Sequence, residues 1–315
     1  MKYDSVLITG STGLIGAALV RSFASDGATV FAAARNTEKA EALFSGLANV
    51  RIVKWDVTSG EAPDCAPDAI VHAASETSSR SFVERPVETI ATVLGGTTNV
   101  LDFARARAAK SVVFLSTMEV YGTPSGNPVT ETDYGFLDPV QVRSCYPESK
   151  RMAENICVSY AKEYGVPVKI ARLTQTFGEG VRYDDQRVFA EFARAILEKR
   201  DITLKTEGTT ARCYCYLGDA VDAIKTILER GETAAAYTVA NEETFCTIRE
   251  MAESLIAAHP ESGTRLVFDF TDADKRGFAP PFVMKLDCKK LRGLGWRPRV
   301  GLMEAFDRMM ASMKR

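Results

Sequence analysis

Tyr146 and Lys150 are the residues in this chain whose types and spacing most readily do chemistry. Four positions apart on a helix, they share one face. A phenol titrating near 10 is a poor base at neutral pH. A neighbouring ammonium favours the phenolate and lowers that pKa. The pair can then take a proton from a substrate hydroxyl while hydride leaves the adjoining carbon for a nicotinamide ring. A second segment, Leu115-Ser116-Thr117-Met118-Glu119-Val120-Tyr121-Gly122, leaves an apolar strand. The Thr117 hydroxyl there can hold a substrate oxygen beside Tyr146. Glu119 is either a carboxylate for the chemistry or a group that satisfies the backbone at a strand end.

Such residues work only if something holds a dinucleotide against them. Thr9-Gly10-Ser11-Thr12-Gly13-Leu14-Ile15-Gly16 follows the apolar run Ser5–Thr9 and opens a helical pattern, Leu14–Ser25. Gly10 suits the tight turn, Gly13 lets the backbone approach a pyrophosphate, and Gly16 lets helix and sheet pack closely. The helix start, with Thr12, Leu14 and Ile15, offers free N–H groups and a positive dipole end. At the end of the next strand the chain reads Ala32-Ala33-Ala34-Arg35-Asn36, with no acid to bind the ribose hydroxyls of NAD. Arg35 suits the 2′-phosphate of NADP, and the reading leans to NADP over NAD. Asp56, past the third strand, is a candidate for the adenine amino group. His72, at the end of an apolar run, reads as a fixed structural histidine near the cofactor.

The elements that position these residues alternate. Strands are expected at Ser5–Thr9, Thr29–Ala34, Val50–Trp55, Ala69–Ala73, Ser111–Leu115 and Pro167–Arg172. Helices are expected at Leu14–Ser25, Glu38–Leu47, Val87–Arg105 and Tyr146–Tyr164. Near-continuous apolar strands alternating with helices predict an α/β fold with a doubly wound parallel Rossmann sheet, helices covering both faces. Past Thr174 the pattern turns irregular, with helices at Val188–Glu198 and Thr247–Ala257 and the turn pairs Pro280-Pro281 and Gly295-Trp296-Arg297-Pro298. This predicts a smaller C-terminal α/β substrate lobe. Residues 1–173 and about 213–241 are assigned to the dinucleotide-binding domain, and about 174–212 and 242–315 to the lobe.

Composition sets the bounds. The 315 residues carry a net charge of −2, so no global positive field exists for nucleic acid or an anionic membrane. No apolar run approaches the roughly 18 residues of a membrane span, and the N-terminus enters the first strand without a leader pattern. Seven scattered cysteines fit reduced thiols in a cytoplasm. Cys213 and Cys215 read as buried thiols, and no metal is expected.

Taken together these motifs resemble the extended short-chain dehydrogenase/reductases that act on nucleotide sugars: epimerases, dehydratases and decarboxylases. The resemblance runs nearly end to end. It includes Thr9–Gly16, Asp56-Val57, Val71-His72-Ala73-Ala74-Ser75, Ser116–Gly122, Tyr146–Lys150, Ala171–Gly178, Ala211–Asp219 and Leu294–Pro298. Arg143-Ser144-Cys145-Tyr146, with Glu148 and Lys150-Arg151, looks closest to UDP-glucuronate decarboxylases, as does Asp185–Val188. The resemblance implies that Gly10, Gly13, Gly16, Asp56, Val57, Ala73, Ala74 and Lys150 hold the dinucleotide, and that Thr117, Glu119, Tyr146 and Lys150 carry the chemistry. Ser75, Thr117, Gln175, Arg187 and Arg212 would line the nucleotide-diphosphate-sugar site, with Arg212 near the diphosphate. It also implies homodimers through the two long helices. Departures stand beside these matches. Met118 replaces an acid or a serine, and a thioether cannot donate a proton. Gln175 replaces an asparagine, and so does Val93. Epimerisation through a transient 4-keto sugar is the first expectation, because it needs the fewest extra groups. Decarboxylation of a hexuronate follows closely. A 4,6-dehydratase, an NADPH ketoreductase and a non-catalytic dinucleotide-binding regulator are the rivals.

Overall fold

The computed structural model describes residues 2–59, 61–270 and 282–313, so Pro280-Pro281 lies outside the described residues. The first half alternates as the apolar pattern requires. The elements are β1 (Ser5–Thr9), α1 (Leu14–Ser25), β2 (Thr29–Ala34), α2 (Thr37–Phe44), β3 (Val50–Lys54), β4 (Ala69–His72), α3 (Ser79–Glu84), α4 (Pro86–Ala106), β5 (Ser111–Thr117), α5 (Cys145–Tyr164) and β6 (Val168–Leu173). The second half adds β7 (Gln175–Phe177), α6 (Val188–Leu197), β8 (Ile202–Leu204), β9 (Ala211–Tyr216), α7 (Leu217–Arg230) and β10 (Ala236–Val239). Then come β11 (Asn241–Thr247), α8 (Ile248–Ala258), β12 (Leu266–Phe268), β13 (Val283–Met284), α9 (Lys289–Gly293) and α10 (Leu302–Ser312). Among the described residues no helix is long and apolar enough to cross a membrane.

Seven strands form one parallel sheet in the order β10-β6-β5-β4-β1-β2-β3. Side chains alternate across it. Val6 and Ile8 of β1 pack in the layer of α1 and α7, whereas Leu7 packs in the layer of α4 and α5. Burial on both faces explains why these strands read as unbroken apolar runs. The chain winds outward from β1 to β3, then restarts at β4 on the other side of β1. That reversal opens a crevice at the C-terminal ends of β1 and β4, the place where such sheets bind ligands.

Strands β7, β9, β11 and β13 make a second sheet. Its core with α6 and α10 includes Phe177 stacked on Phe189 at 4.7 Å and tilted against Phe306 at 4.9 Å. The chain passes from β6 to β7 through Thr174 and from β10 to β11 through Ala240, single residues side by side, with the Thr174 N–H donating to the Val239 carbonyl. The boundary expected near residue 213 falls inside β9.

Local chemistry moves some element ends. Helix α2 starts at Thr37 because the Asn36 side chain accepts from the Lys39 N–H at 2.8 Å, and it stops at Phe44, before Gly46 at φ +88°. Helix α5 stops at Gly165, whose left-handed backbone caps it. Strand β5 runs two residues past the expected end, to Thr117. This places Thr117 at the crevice and hands Glu119 to a tight turn, Met118–Tyr121.

Candidate active site

The crevice is a cleft of about 870 Å³. Every residue assigned by the sequence to the dinucleotide or the redox step lines it, as do Ser75, Gln175 and Arg187. Arg212 stands apart from that lining. It sits on β9 with its guanidinium 4.9 Å from the Phe282 ring centroid, and its Nε is buried without a partner among the described residues.

The Gly-rich turn fits a dinucleotide on steric grounds. Gly10 has φ +64°, and a Cβ there would lie 2.7 Å from the Ala74 nitrogen. A Cβ on Gly16 would lie 2.1 Å from the Gly10 carbonyl oxygen. Gly13 caps α1 in an extended conformation, with no side-chain cap and no acid in the first turn. The amides at that helix start therefore face the cleft with their positive end unneutralised, as a pyrophosphate requires. Helix α8, away from the cleft, instead closes its start with a Thr247/Glu250 capping box.

His72 pins the turn from below. Its Nδ1 meets the Thr9 hydroxyl at 2.8 Å, and that same hydroxyl oxygen accepts from the Ala74 N–H at 3.1 Å. The Thr97 hydroxyl donates to the Val93 carbonyl at 2.6 Å, leaving its lone pair for His72 Nε2–H at 3.4 Å. This pattern suits a neutral ring, and full burial, with the Lys150 charge nearby, pushes the imidazole down to about 3.

At the β2 end, Arg35 is exposed and lines the cleft with Lys39. Asp56 Oδ1 accepts from the Thr58 hydroxyl at 2.7 Å and the Thr58 N–H at 3.0 Å, and these bonds hold its carboxyl below the usual range.

Tyr146 and Lys150 do share one face of α5, but the electrostatics differ from expectation. Burial pushes the Tyr146 phenol above its ordinary range, the charge of Glu119 adds to the rise, and a hydrogen bond with Thr117 and the Arg143 charge oppose it. The Lys150 ammonium does not offset this. It donates to the Leu115 carbonyl at 2.8 Å and lies 5.9 Å from the Tyr146 ring centroid, and its own burial lowers it to about 8. The expected acidified phenol is thus corrected to a neutral one, because desolvation outweighs the distant ammonium.

Sequence reasoning missed two groups here. Arg143 clamps Glu119, with Nη2 at 3.0 Å from Oε2 and 3.2 Å from Oε1. Phe82, from α3, stacks on the Tyr146 ring at 4.2 Å and 11° and lies under the Arg143 guanidinium at 4.7 Å. Arg143 stood in a matched motif, 24 residues from Glu119, but nothing in that spacing pairs them. Met118 is buried, with its sulfur accepting from the Thr174 hydroxyl at 3.2 Å. Arg187 is held by Asp185, with Nη2 to Oδ2 at 2.5 Å.

Residues 6–241 match the model of the NAD dependent epimerase/dehydratase family. UDP-glucuronic acid decarboxylase 6 of Arabidopsis thaliana is 32% identical over 310 residues, covering 96% of this chain and 87% of that protein. Among solved structures, UDP-glucose 4-epimerase of Thermotoga maritima, determined with UDP-glucose, has a TM-score of 0.84 at 20% identity, with 98% of each chain covered. A dTDP-glucose 4,6-dehydratase of Streptomyces venezuelae, with NAD and TYD bound, has a TM-score of 0.79 at 24% identity, covering 98% of this chain and 96% of that one. At those identities the two structures establish the fold.

Proposed function

The chain belongs to the NAD dependent epimerase/dehydratase family, and from that premise we propose that it decarboxylates a nucleotide-diphosphate hexuronate through a 4-keto sugar. Gly10, Thr12, Gly13, Leu14, Ile15 and Gly16 would hold the pyrophosphate, with Ala73, Ala74 and Lys150 along the nicotinamide half and Asp56 and Val57 at the adenine. Bound there, a nicotinamide dinucleotide supplies hydride acceptance from the sugar carbon and its return. Arg35 and Lys39 together favour a 2′-phosphate, hence NADP.

The observation that carries the reading is the Glu119–Arg143 clamp beside Tyr146 and Thr117. Loss of water needs an acid at the departing hydroxyl. Met118 has no proton to give, and both Glu119 oxygens are already engaged by Arg143. A carboxyl β to a ketone needs no such acid. Carbon dioxide departs as its bonding electrons pass into the keto oxygen, and hydrogen-bond donors on that oxygen suffice. Tyr146 in its ionised form first takes the proton of the C4 hydroxyl, and the neutral phenol so formed supplies them together with the Thr117 hydroxyl. The vacated carbon then takes a proton from solvent. Ser75, Gln175 and Arg187 would place the sugar, and Arg212, whose buried Nε has no partner among the described residues, would face the diphosphate.

C4 epimerisation, the first expectation from sequence, is the second reading, since it too needs no acid at position 118. The names of the near-full-length relatives weigh toward decarboxylation. The two long helices leave Val87, Ile90, Met152 and Val158 exposed, and this apolar face suits pairing of two copies through α4 and α5. The deciding experiment incubates the protein with UDP-, dTDP-, GDP- and CDP-hexuronates and hexoses and follows mass and NMR. Loss of carbon dioxide is expected, with one solvent deuterium incorporated in heavy water. An unchanged mass with inverted C4 would favour the epimerase. Loss of water, or net consumption of NADPH, would overturn both readings.

A further inference from the structure

Behind the cleft lies a buried ion pair that the chemistry above does not use. Arg172, on β6, is 2% exposed and stands in register with Ser116 on β5. Its Nη2 donates to Glu154 Oε2 at 2.8 Å, its Nε to Oε1 at 3.1 Å, and its Nη1 to the Glu131 carbonyl at 2.9 Å. The Ser116 hydroxyl donates to Glu154 Oε1 at 2.5 Å. Glu154 is one helical turn beyond Lys150 on α5, on the same face, and both side chains reach β5 at neighbouring residues. The ammonium of Lys150 therefore has two anchors within reach: the Leu115 carbonyl, which leaves it lining the cleft, and the Glu154 carboxylate, which would draw it away. A free carboxylate in such a dry place attracts an ammonium far more strongly than a carbonyl does.

We propose that Arg172 is a positioning residue for Lys150: by occupying the Glu154 carboxylate with a two-pronged bond, it keeps the Lys150 ammonium on the Leu115 carbonyl and turned to the dinucleotide. This rests on the reading that Lys150 serves the redox step. The ionisable groups facing that amine are His72 from β4 and Tyr146, Glu154 and Cys157 from its own helix. Of these Glu154 is the carboxylate, and Arg172 is what occupies it.

The test uses the full chain with Arg172→Leu, Arg172→Lys and the double variant Glu154→Leu/Arg172→Leu, each checked by thermal melting. Replacing a buried ion pair by apolar residues of similar bulk commonly preserves a fold, whereas breaking one partner does not. Arg172→Leu should lower kcat by about 100-fold with KM little changed, Arg172→Lys should recover most of it, and the double variant should return to within about tenfold of the parent. If the single variant does not fold, the double variant decides. A folded double variant as inactive as Lys150→Ala would overturn the proposal. A second readout does not need the enzyme reading. In protein carrying 13Cε-lysine and Lys169→Met, which removes the other described lysine lowered to about 8, the Lys150 signal should titrate near 8. That titration should move toward the ordinary lysine range in Arg172→Leu and return in the double variant. Movement of this signal in a protein that converts no nucleotide sugar would retain the positioning role and reject the assigned reaction. An unmoved signal in an active enzyme would reject the role and retain the reaction.

Discussion

The neutral, buried His72 makes the stability of this protein fall steeply in mild acid. Its native pKa of about 3 compares with 6.5 for the free side chain, so the unfolded chain binds the proton and the folded one refuses it. The contribution is whole above pH 6.5 and drains as the pH falls toward 3. Between pH 7 and pH 5 the loss from this one ring is about 2 kcal/mol, and it is the same for any native value below about 4. That is a sizeable part of an ordinary domain's stability. Lys150 and Lys169, lowered to about 8, are protonated in both states across this window and add no slope. Urea unfolding at pH 7, 6 and 5 should give a slope near 1.4 kcal/mol per unit at the acid end. His72→Gln should remove about 2 kcal/mol of that pH dependence. Equal pH dependence in the parent and His72→Gln would refute the claim that a neutral imidazole pins the Thr9–Ala74 turn.

Other outcomes follow from the cleft. Gly16→Ala puts a methyl 2.1 Å from a backbone oxygen that cannot swing aside, so it should cost about 1–3 kcal/mol or more and weaken dinucleotide binding at least about tenfold by calorimetry. An unchanged Kd would mean the turn is not the pyrophosphate seat. Glu119→Gln removes a charge that raises the Tyr146 phenol, so the limb of kcat/KM that climbs with pH should move to lower pH; a shift the other way would contradict the electrostatics. Arg35→Glu should reverse the NADP-to-NAD preference by about tenfold or more in a binding titration, and an unaltered ratio would assign the cofactor choice elsewhere.

The parts written in local spacing were legible in the sequence. The turn from β1 into α1 is fixed by glycines in a recognisable spacing, of which Gly10 and Gly16 leave no room for a Cβ. Six of the seven strands of the central sheet were equally plain, because burial on both faces favours apolar runs, whereas β10 went unread. Helix α7 went unread although Leu217, Ala220, Val221, Ile224, Ile227 and Leu228 mark one helical stripe; the motif beside it drew the reading toward irregular structure. The charge state of Tyr146 was not legible at all. It depends on which way the Lys150 amine points and on a Glu119–Arg143 pair formed across 24 residues, and neither follows from the four-residue spacing of tyrosine and lysine.

Strand β10 closes the central sheet with residues 236–239, although its neighbour β6 ends at Leu173. During synthesis β6 must therefore wait, one flank bare, while some sixty further residues leave the ribosome. A fragment ending near Leu173 would hold every glycine of the pyrophosphate turn, yet expose the edge of an apolar strand with nothing to cover it. Such a fragment should stick to its own kind before it could bind a dinucleotide, and nascent chains stalled there would call for chaperone cover.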